Sequence, residues 1–495
     1  MSCLEGARIL YIIATTFSLP PTCLATLDES INSYTAILST TDSPLCKIDA
    51  GFNLAVGLAQ MADWVEEGLS AGVVSGKDKH VLTLRERALA LLYDVAHVQE
   101  TYLAEHAAEQ GDEGEMERAG SAAEVSAHDD ENDDGEESPA TYEEHVPTPL
   151  ALVETFFEMI DTTTSIWASL SPSSGLNDLP TRYTPGAIDQ MLDRCTTLAQ
   201  QAGDLSLDGM VVMKRLETAL VATDYQQDLQ LSPLVDRVKG VWQTAIAKDS
   251  AIDDETRIAC AEVLMDVESY LARRTQDPTQ IWQHLSAATQ IATTSLGIPP
   301  PITISPLSGA STLLNLSTFS LRRALVSIDH PTFSASTTHR KQLLANAEVY
   351  ANRGLKELAW TGLASEAVGV GAGSKTLSIG VPSASSNTES LTLPPVSGWD
   401  RESLARNTVL SLLRSLYYQS ILLTHDPAAV ATAQRKADKL LSQLQALRRT
   451  EAQDRWLGAA DVSRFVDVLE EEENAVRVEE QAFWQQFVQK LEATP

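Results

Sequence analysis

The stretch TPGAIDQMLDRCTTLAQ, residues 184–200, predicts the fold class of the chain. It opens with threonine, a residue that caps the first amide groups of a helix. Proline follows, and it suits the first helical position because it has no amide hydrogen to leave without a partner. Apolar side chains then recur at helical spacing, namely Ile188, Met191, Leu192, Cys195 and Leu198. The stretch therefore predicts an amphipathic α-helix with one buried face.

The same helix start recurs at Ser232-Pro233, Asp277-Pro278 and Asp426-Pro427. Apolar periodicity predicts further helices at residues 24–38, 48–67, 80–107, 208–220 and 254–273. From residue 184 to residue 277 the helix starts fall roughly every two dozen residues, a spacing typical of stacked helix pairs. We therefore predict an all-α fold, a helical-repeat solenoid of antiparallel helix pairs with an acidic insertion.

Three stretches resemble tetratricopeptide-repeat helices: GFNLAVGLAQMADWVEEG at residues 51–68, ACAEVLMDVESYLARR at 259–274 and LLANAEVYANRGLKELAW at 343–360. Each places small residues where facing helices would approach closely, with a bulky residue shortly after them. The resemblance implies a superhelical scaffold of helix pairs with a concave groove that binds peptides.

Composition and charge narrow the class of partner. Hydrophobic residues make up 43% of the 495 residues and charged residues 21%, a balance typical of a chain that folds. The net charge is −32, which repels phosphates and attracts cationic surfaces. We therefore expect a basic protein partner and no direct binding of nucleic acid, which needs clustered lysine and arginine.

One segment, residues 109–147, is especially rich in acidic residues, although the rest of the chain is acidic as well. Its stretch from 109 to 145 contains fifteen carboxylates and a single basic residue, Arg118, and it has few apolar anchors, so we predict that it is disordered. Its densest part is HDDENDDGEES, residues 128–138. We predict that the basic client binds to the carboxylates there: Asp129, Asp130, Glu131, Asp133, Asp134, Glu136 and Glu137. The alternative is a passive, solubilising linker.

A second interruption of the helical pattern, residues 363–399, is rich in Gly, Ser and Pro and predicts a flexible loop with one short strand at 376–379. Its GVGAGSKT does not fit a phosphate-binding loop, because Ser374 separates Gly373 from Lys375. The chain is thus predicted to divide into N-terminal helical pairs (1–108), the acidic insertion (109–147), central repeats (148–362), this loop (363–399) and C-terminal helices (400–495). The last segment would end in one long capping helix, residues 459–491.

No pattern of catalytic residues occurs in the sequence. The five cysteines form no CxxC pair and the nine histidines no HxxxH pair, so we expect no metal site, no cofactor and a reducing compartment. Asp253, Asp254 and Glu255 suit a helix N-terminus, where carboxylates complement the helix dipole. We therefore expect a protein that is not an enzyme.

The apolar stretch at residues 9–25 resembles a signal peptide, but Glu5 offsets Arg8 where such a leader is positively charged. We predict a buried helix there, no membrane association, and a cytoplasmic or nuclear protein. The basic pairs Arg273-Arg274, Arg322-Arg323, Arg340-Lys341 and Arg448-Arg449 are expected to end or line helices. They could also bind the chain's own acidic segment.

These features favour a non-enzymatic interaction scaffold. Its architecture resembles that of acidic chaperones for ribosomal proteins or histones, in which an acidic segment attracts a basic client and a groove selects it. The alternative is an adaptor or structural subunit of a larger complex.

Overall fold

The computed structural model describes residues 3–69, 77–116, 147–170, 176, 179–223, 225, 231–247, 250, 252–297, 305–360, 377–379, 391–447, 449, 457–473 and 476–493. Within these ranges the chain forms sixteen α-helices and one small antiparallel hairpin. The hairpin pairs β1 (Leu377–Ile379) with β2 (Leu391–Leu393), and Leu377 lies opposite Leu393. Strand β1 was predicted, whereas its partner strand was not.

The chain divides into two compact units. The first comprises Met1–Ile12, Leu24–Glu66 and Ser70–Asp204. Its helices are α1 (Cys3–Ile12), α2 (Thr22–Thr40), α3 (Pro44–Glu66), α4 (Lys77–Met116), α5 (Pro149–Ala168) and α6 (Pro185–Ala202). Helix α3 packs on α4, α4 on α5, and α5 on α6. The helical array is therefore continuous from α4 to α5, the two helices that flank the acidic segment in the sequence.

The second unit comprises Ile13–Cys23, Glu67–Leu69 and Leu205–Pro495. Its helices are α7 (Leu205–Ala222), α8 (Ser232–Ala245), α9 (Asp254–Arg274), α10 (Pro278–Gly297), α11 (Pro306–Asp329), α12 (Ser334–Glu357), α13 (Trp399–Leu422), α14 (Pro427–Leu447), α15 (Ala459–Glu473) and α16 (Val478–Glu492). From α7 to α14 each helix packs on its neighbour in sequence, and α15 and α16 pack on α13 and α14. The all-α, helical-repeat fold class is confirmed.

Small residues allow close packing in two of the stretches that resemble tetratricopeptide helices. A Cβ atom built on Gly51 of α3 would lie 2.7 Å from Cγ2 of Val95 in α4. On Gly354 of α12 it would lie 3.4 Å from Cγ2 of Thr408 in α13 and 3.5 Å from the Ala310 carbonyl oxygen in α11. A larger residue at position 51 would therefore require the Val95 side chain or the helix that carries it to shift.

The four helices predicted from a capping residue followed by proline begin at the predicted positions. The residue before proline caps two of these helices and not the other two. Asp277 and Asp426 accept backbone hydrogen bonds from Thr279 and Ala429, at 2.9 and 3.1 Å. Thr184 makes no side-chain cap, and Ser232 lies inside the first turn of α8. The same motif, unnoticed in the sequence, starts α5 and α11, where Thr148 and Ser305 each cap an amide at 3.1 Å.

Three predictions of helix extent are wrong. The buried helix at residues 9–25 is instead α1 followed by a π-helical turn, Ile13–Phe17, and Ile9, Ile12, Ile13 and Phe17 are 40–61% exposed. Pro20 and Pro21 end this segment before α2, because proline interrupts helical hydrogen bonding.

The long capping helix at 459–491 is also wrong, because it is two helices, α15 and α16, that pack against each other. In addition, the backbone of α4 stays helical to Met116, although we predicted that disorder starts at residue 109.

Candidate functional site: a groove in the C-terminal helices

The predicted client-binding carboxylates lie outside the described residues. This applies to all seven of them, Asp129, Asp130, Glu131, Asp133, Asp134, Glu136 and Glu137. Among the described side chains, the candidate site lies in the second unit, between α15 and α16.

Helix α13 anchors both of these helices through two arginines. Arg406 and Arg414 are eight positions apart and therefore lie on roughly the same face of α13, about 12 Å apart along its axis. Nη1 of Arg406 lies 3.1 Å from Oδ2 of Asp461 in α15. Nε of Arg414 lies 2.6 Å from Oε1 of Glu480 in α16. Each helix of the C-terminal pair is thus held to α13 by its own ion pair.

The Arg414–Glu480 pair is fully buried and fully hydrogen-bonded. Its two side chains are 2% and 1% exposed. The Tyr418 hydroxyl donates to Oε2 of Glu480 at 2.5 Å, and Trp484 Nε1 donates to Oε1 at 3.3 Å. Burial, together with the Glu480 carboxylate, raises the pKa of the Tyr418 phenol far above its usual value, so Tyr418 remains a donor. A buried carboxylate requires such partners, because desolvation of a charge costs several kcal/mol.

The Arg406–Asp461 pair is similarly enclosed. Its side chains are 9% and 8% exposed, and Asp461 also accepts a hydrogen bond from the Gly458 amide at 2.8 Å and pairs with Arg464. The Arg406 guanidinium carbon lies 5.1 Å from the ring centre of Trp399. Asp461 is in the first turn of α15, where the helix dipole also favours a carboxylate.

Between α15 and α16 a groove with a volume of about 440 Å³ opens to solvent. Its lining residues are Ala459, Val462, Ser463, Val466, Glu470, Gln481, Trp484, Gln485, Val488 and Gln489. On each helix these residues recur three or four positions apart, so each helix contributes one continuous face. This spacing is that of a surface on which a further helix could pack.

The groove has an apolar floor and a polar rim that includes one carboxylate, that of Glu470. Val462 and Trp484 are buried, and Val466 and Val488 are half-buried. Trp484 also packs edge-to-face on Phe465, with ring centres 5.4 Å apart. Glutamines and the exposed Glu470 surround this floor, and Glu470 is the first of four consecutive glutamates in the sequence. The arrangement suits an amphipathic segment with basic residues beside its apolar face.

No described helix is long and apolar enough to cross a lipid bilayer. No three His, Cys, Asp or Glu side chains in the described ranges are grouped so that they could hold a metal ion.

Comparison with known proteins finds similarity to solved structures. No protein-family model matches the chain, and no curated protein is significantly similar to it. Among solved structures, the chain is similar to a circular tandem repeat protein with novel repeat topology and enhanced subunit contact surfaces. The two share 10% sequence identity over 99% of this chain and 94% of that chain, with a TM-score of 0.29. The helical-repeat fold class therefore rests on the packing of this chain's own helices.

Proposed function

We propose that the protein is a non-enzymatic interaction scaffold that escorts a basic protein client, such as a ribosomal protein or a histone, in the cytoplasm or nucleus. A helical-repeat scaffold is compatible with a role in protein interaction. The observation that carries the proposal is the groove between α15 and α16, where an apolar floor adjoins the Glu470 carboxylate on a chain with a net charge of −32.

Two steps of binding follow from this arrangement. The carboxylates at residues 129–137 attract the cationic client over a distance, which raises the rate of encounter. The groove then buries an apolar side of one client segment while the rim pairs with its lysine or arginine side chains. Rigidity favours binding, because α15 and α16 are already fixed by buried ion pairs and lose little freedom when the client binds. The proposal also includes what the resemblance to tetratricopeptide proteins implies, a scaffold of helix pairs with a groove that binds peptides.

The test is a deletion of residues 117–144, which leaves α4 intact to Met116. Binding of purified histone and ribosomal proteins would be measured by fluorescence anisotropy at low and high salt. We expect the deletion to weaken binding most at low salt, because exposed charges are screened as ionic strength rises. The matched control replaces the same residues with a Gly/Ser linker of equal length, which restores the connection without the charge.

An adaptor or structural subunit is the second candidate, and the apolar floor of the groove favours it. In that case affinity would depend on the groove alone, and both the deletion and the salt concentration would change it little. Equal binding by the wild type and the deletion variant at low salt would contradict the escort role and favour the adaptor.

A further inference from the structure

A second cavity in the same unit differs in character from the groove. It has a volume of about 350 Å³, within the range of small-ligand sites, and lies where α9 and α11 end and α10 begins. Its polar lining residues are Arg273, Thr275, Gln276, Arg322, Asp329, His330 and Arg477, and its apolar wall is formed by Ala272, Ile281, Leu285, Leu325 and Val326.

Three arginines from three separate elements line this cavity. Arg273 is in the last turn of α9, Arg322 is inside α11, and Arg477 directly precedes α16. A cation at the end of α9 complements the helix dipole. The helix dipole does not explain the position of Arg322, which lies well before the end of α11. Nor does it explain Arg477, which lies on the N-terminal side of α16.

Neighbouring groups hold two of the three guanidinium groups in place, those of Arg322 and Arg477. Nη1 of Arg322 donates to the Ser269 hydroxyl at 2.7 Å. Arg477 donates through Nη2 to Oδ2 of Asp329 at 2.6 Å and through Nη1 to the Tyr418 hydroxyl at 3.3 Å. A guanidinium has five N–H donors in a rigid fork, so an arginine oriented by the protein can also donate to a ligand.

The lining has an excess of positive charge. It contains three guanidinium groups and one carboxylate, that of Asp329. The net charge of −32 on the whole chain repels anions at long range, so an anion would have to be held by short contacts inside the cavity. Arginine provides such contacts best to planar or multiply charged oxyanions, through paired N–H donors.

We propose that this cavity binds a phosphate group, supplied either by inorganic phosphate or by a phosphorylated side chain. A phosphate monoester carries close to two negative charges and three strong acceptor oxygens. Its negative charge would balance the two excess positive charges of the lining. Its three oxygens would accept hydrogen bonds from arginines that belong to three separate elements. The proposal is independent of the basic client, which would bind to carboxylates.

The experiment is isothermal titration calorimetry on the full chain with two probes, inorganic phosphate and a phosphoserine peptide, the latter compared with its unphosphorylated form. Arg273→Gln should weaken phosphate binding by roughly tenfold, because a charge-assisted hydrogen bond is lost. The matched control is Arg274→Gln, which removes the same charge at the next position, outside the cavity lining, and should retain near wild-type affinity.

A second pair of variants guards against an effect on folding. Gln276 is exposed at the cavity, so Gln276→Glu should weaken phosphate binding by repulsion and leave the thermal unfolding midpoint unchanged. Gln283→Glu adds the same charge at an exposed position of α10 outside the lining and should have little effect.

Binding of both probes would identify the phosphate group itself as the ligand, and binding of the peptide alone would identify a phosphorylated protein. The proposal is overturned if neither probe binds, or if binding is unchanged in both Arg273→Gln and Gln276→Glu.

Discussion

Arg414 of α13 and Glu480 of α16 form a salt bridge with Nε and Oε1 2.6 Å apart, and neither side chain is more than 2% exposed. The two residues are 66 positions apart in the sequence. Because Tyr418 and Trp484 also donate to Glu480, the carboxylate is surrounded by donors on both oxygens. The position of α16, and with it one wall of the groove, depends on this interaction.

Replacing Glu480 with glutamine should therefore destabilise the second unit. The substitution keeps the shape but leaves Arg414 as a buried charge without its counter-ion, which costs about 3–5 kcal/mol. Urea unfolding followed by tryptophan fluorescence would measure the loss. Glu479→Gln makes the same change at the adjacent exposed position and should alter the free energy of unfolding by less than about 0.5 kcal/mol. Equal stability of the two variants would contradict a structural role for the pair.

The cap at the start of α9 should make a pH-dependent contribution to stability. Oδ1 of Asp253 accepts a hydrogen bond from the Thr256 amide at 2.7 Å. Partial burial raises the pKa of Asp253, but hydrogen bonds from Thr256 and Ser206 outweigh burial and hold that pKa below its usual value. A carboxyl with a lowered folded pKa stabilises the fold above its unfolded pKa, about 3.9, and this stability is lost as pH falls through the folded pKa.

Asp253→Ala should consequently cost about 1 kcal/mol at neutral pH. The difference from the wild type should shrink as the pH falls below about 4 and through the lowered folded pKa, because protonation removes the charge of the capping carboxylate. Asp253→Asn, which keeps a capping oxygen at every pH, serves as the control. Thermal unfolding at a series of pH values checks this, and a cost of Asp253→Ala that does not change with pH would show that the charge of the cap is unimportant.

Substitution by alanine should have opposite effects on stability at two helical glycines. One lies where α3 and α4 pack closely, and the other, on α8, faces open space. Gly51→Ala places a Cβ 2.7 Å from Val95, and the overpacking should cost about 1–3 kcal/mol. Gly240→Ala adds a methyl group with no atom within 4 Å on α8, so the better helix propensity of alanine should stabilise that helix by up to about 1 kcal/mol. Urea unfolding of both variants tests the prediction, and a neutral Gly51→Ala would indicate that α3 and α4 are packed less tightly.

A charge placed in the groove should inhibit the proposed binding of a basic client. Gln485 lines the groove, whereas Gln486, also exposed, does not. Gln485→Lys should weaken client binding by roughly tenfold through like-charge repulsion, while Gln486→Lys should change it little. Fluorescence anisotropy with a labelled client measures both variants. Identical affinities for the two would mean that the client binds elsewhere on the protein.

Much of the helical framework could be predicted from the sequence, because its signals are local. A capping residue before proline and an apolar residue every three or four positions predicted α6 in place, and apolar periodicity predicted α9 to within a residue at its end. The burial of residues 9–17 was mispredicted, because a stretch that is apolar on all sides does not reveal which face the protein covers.

The groove could not be predicted, because the interactions that position it are distant in sequence. Arg406, Asp461 and Glu480 each look like ordinary solvent-facing charges, and nothing local pairs residues 55 or 66 positions apart. The break between α15 and α16 contains neither proline nor glycine. One signal was available, since Arg414 is flanked by apolar residues in SLLRSLYY, where a lone charge requires a buried partner.

Because α13 carries both anchoring arginines, the spacing of Arg406 and Arg414 along this one helix helps to set the distance between α15 and α16, and so the width of the groove. An insertion or deletion of one residue between positions 406 and 414 would rotate one guanidinium by about 100° relative to the other, since an α-helix turns once in 3.6 residues. One of the two buried ion pairs would then be broken, which would leave its guanidinium without a carboxylate. Length changes in this stretch of α13 should thus be far more damaging than substitutions at its exposed positions.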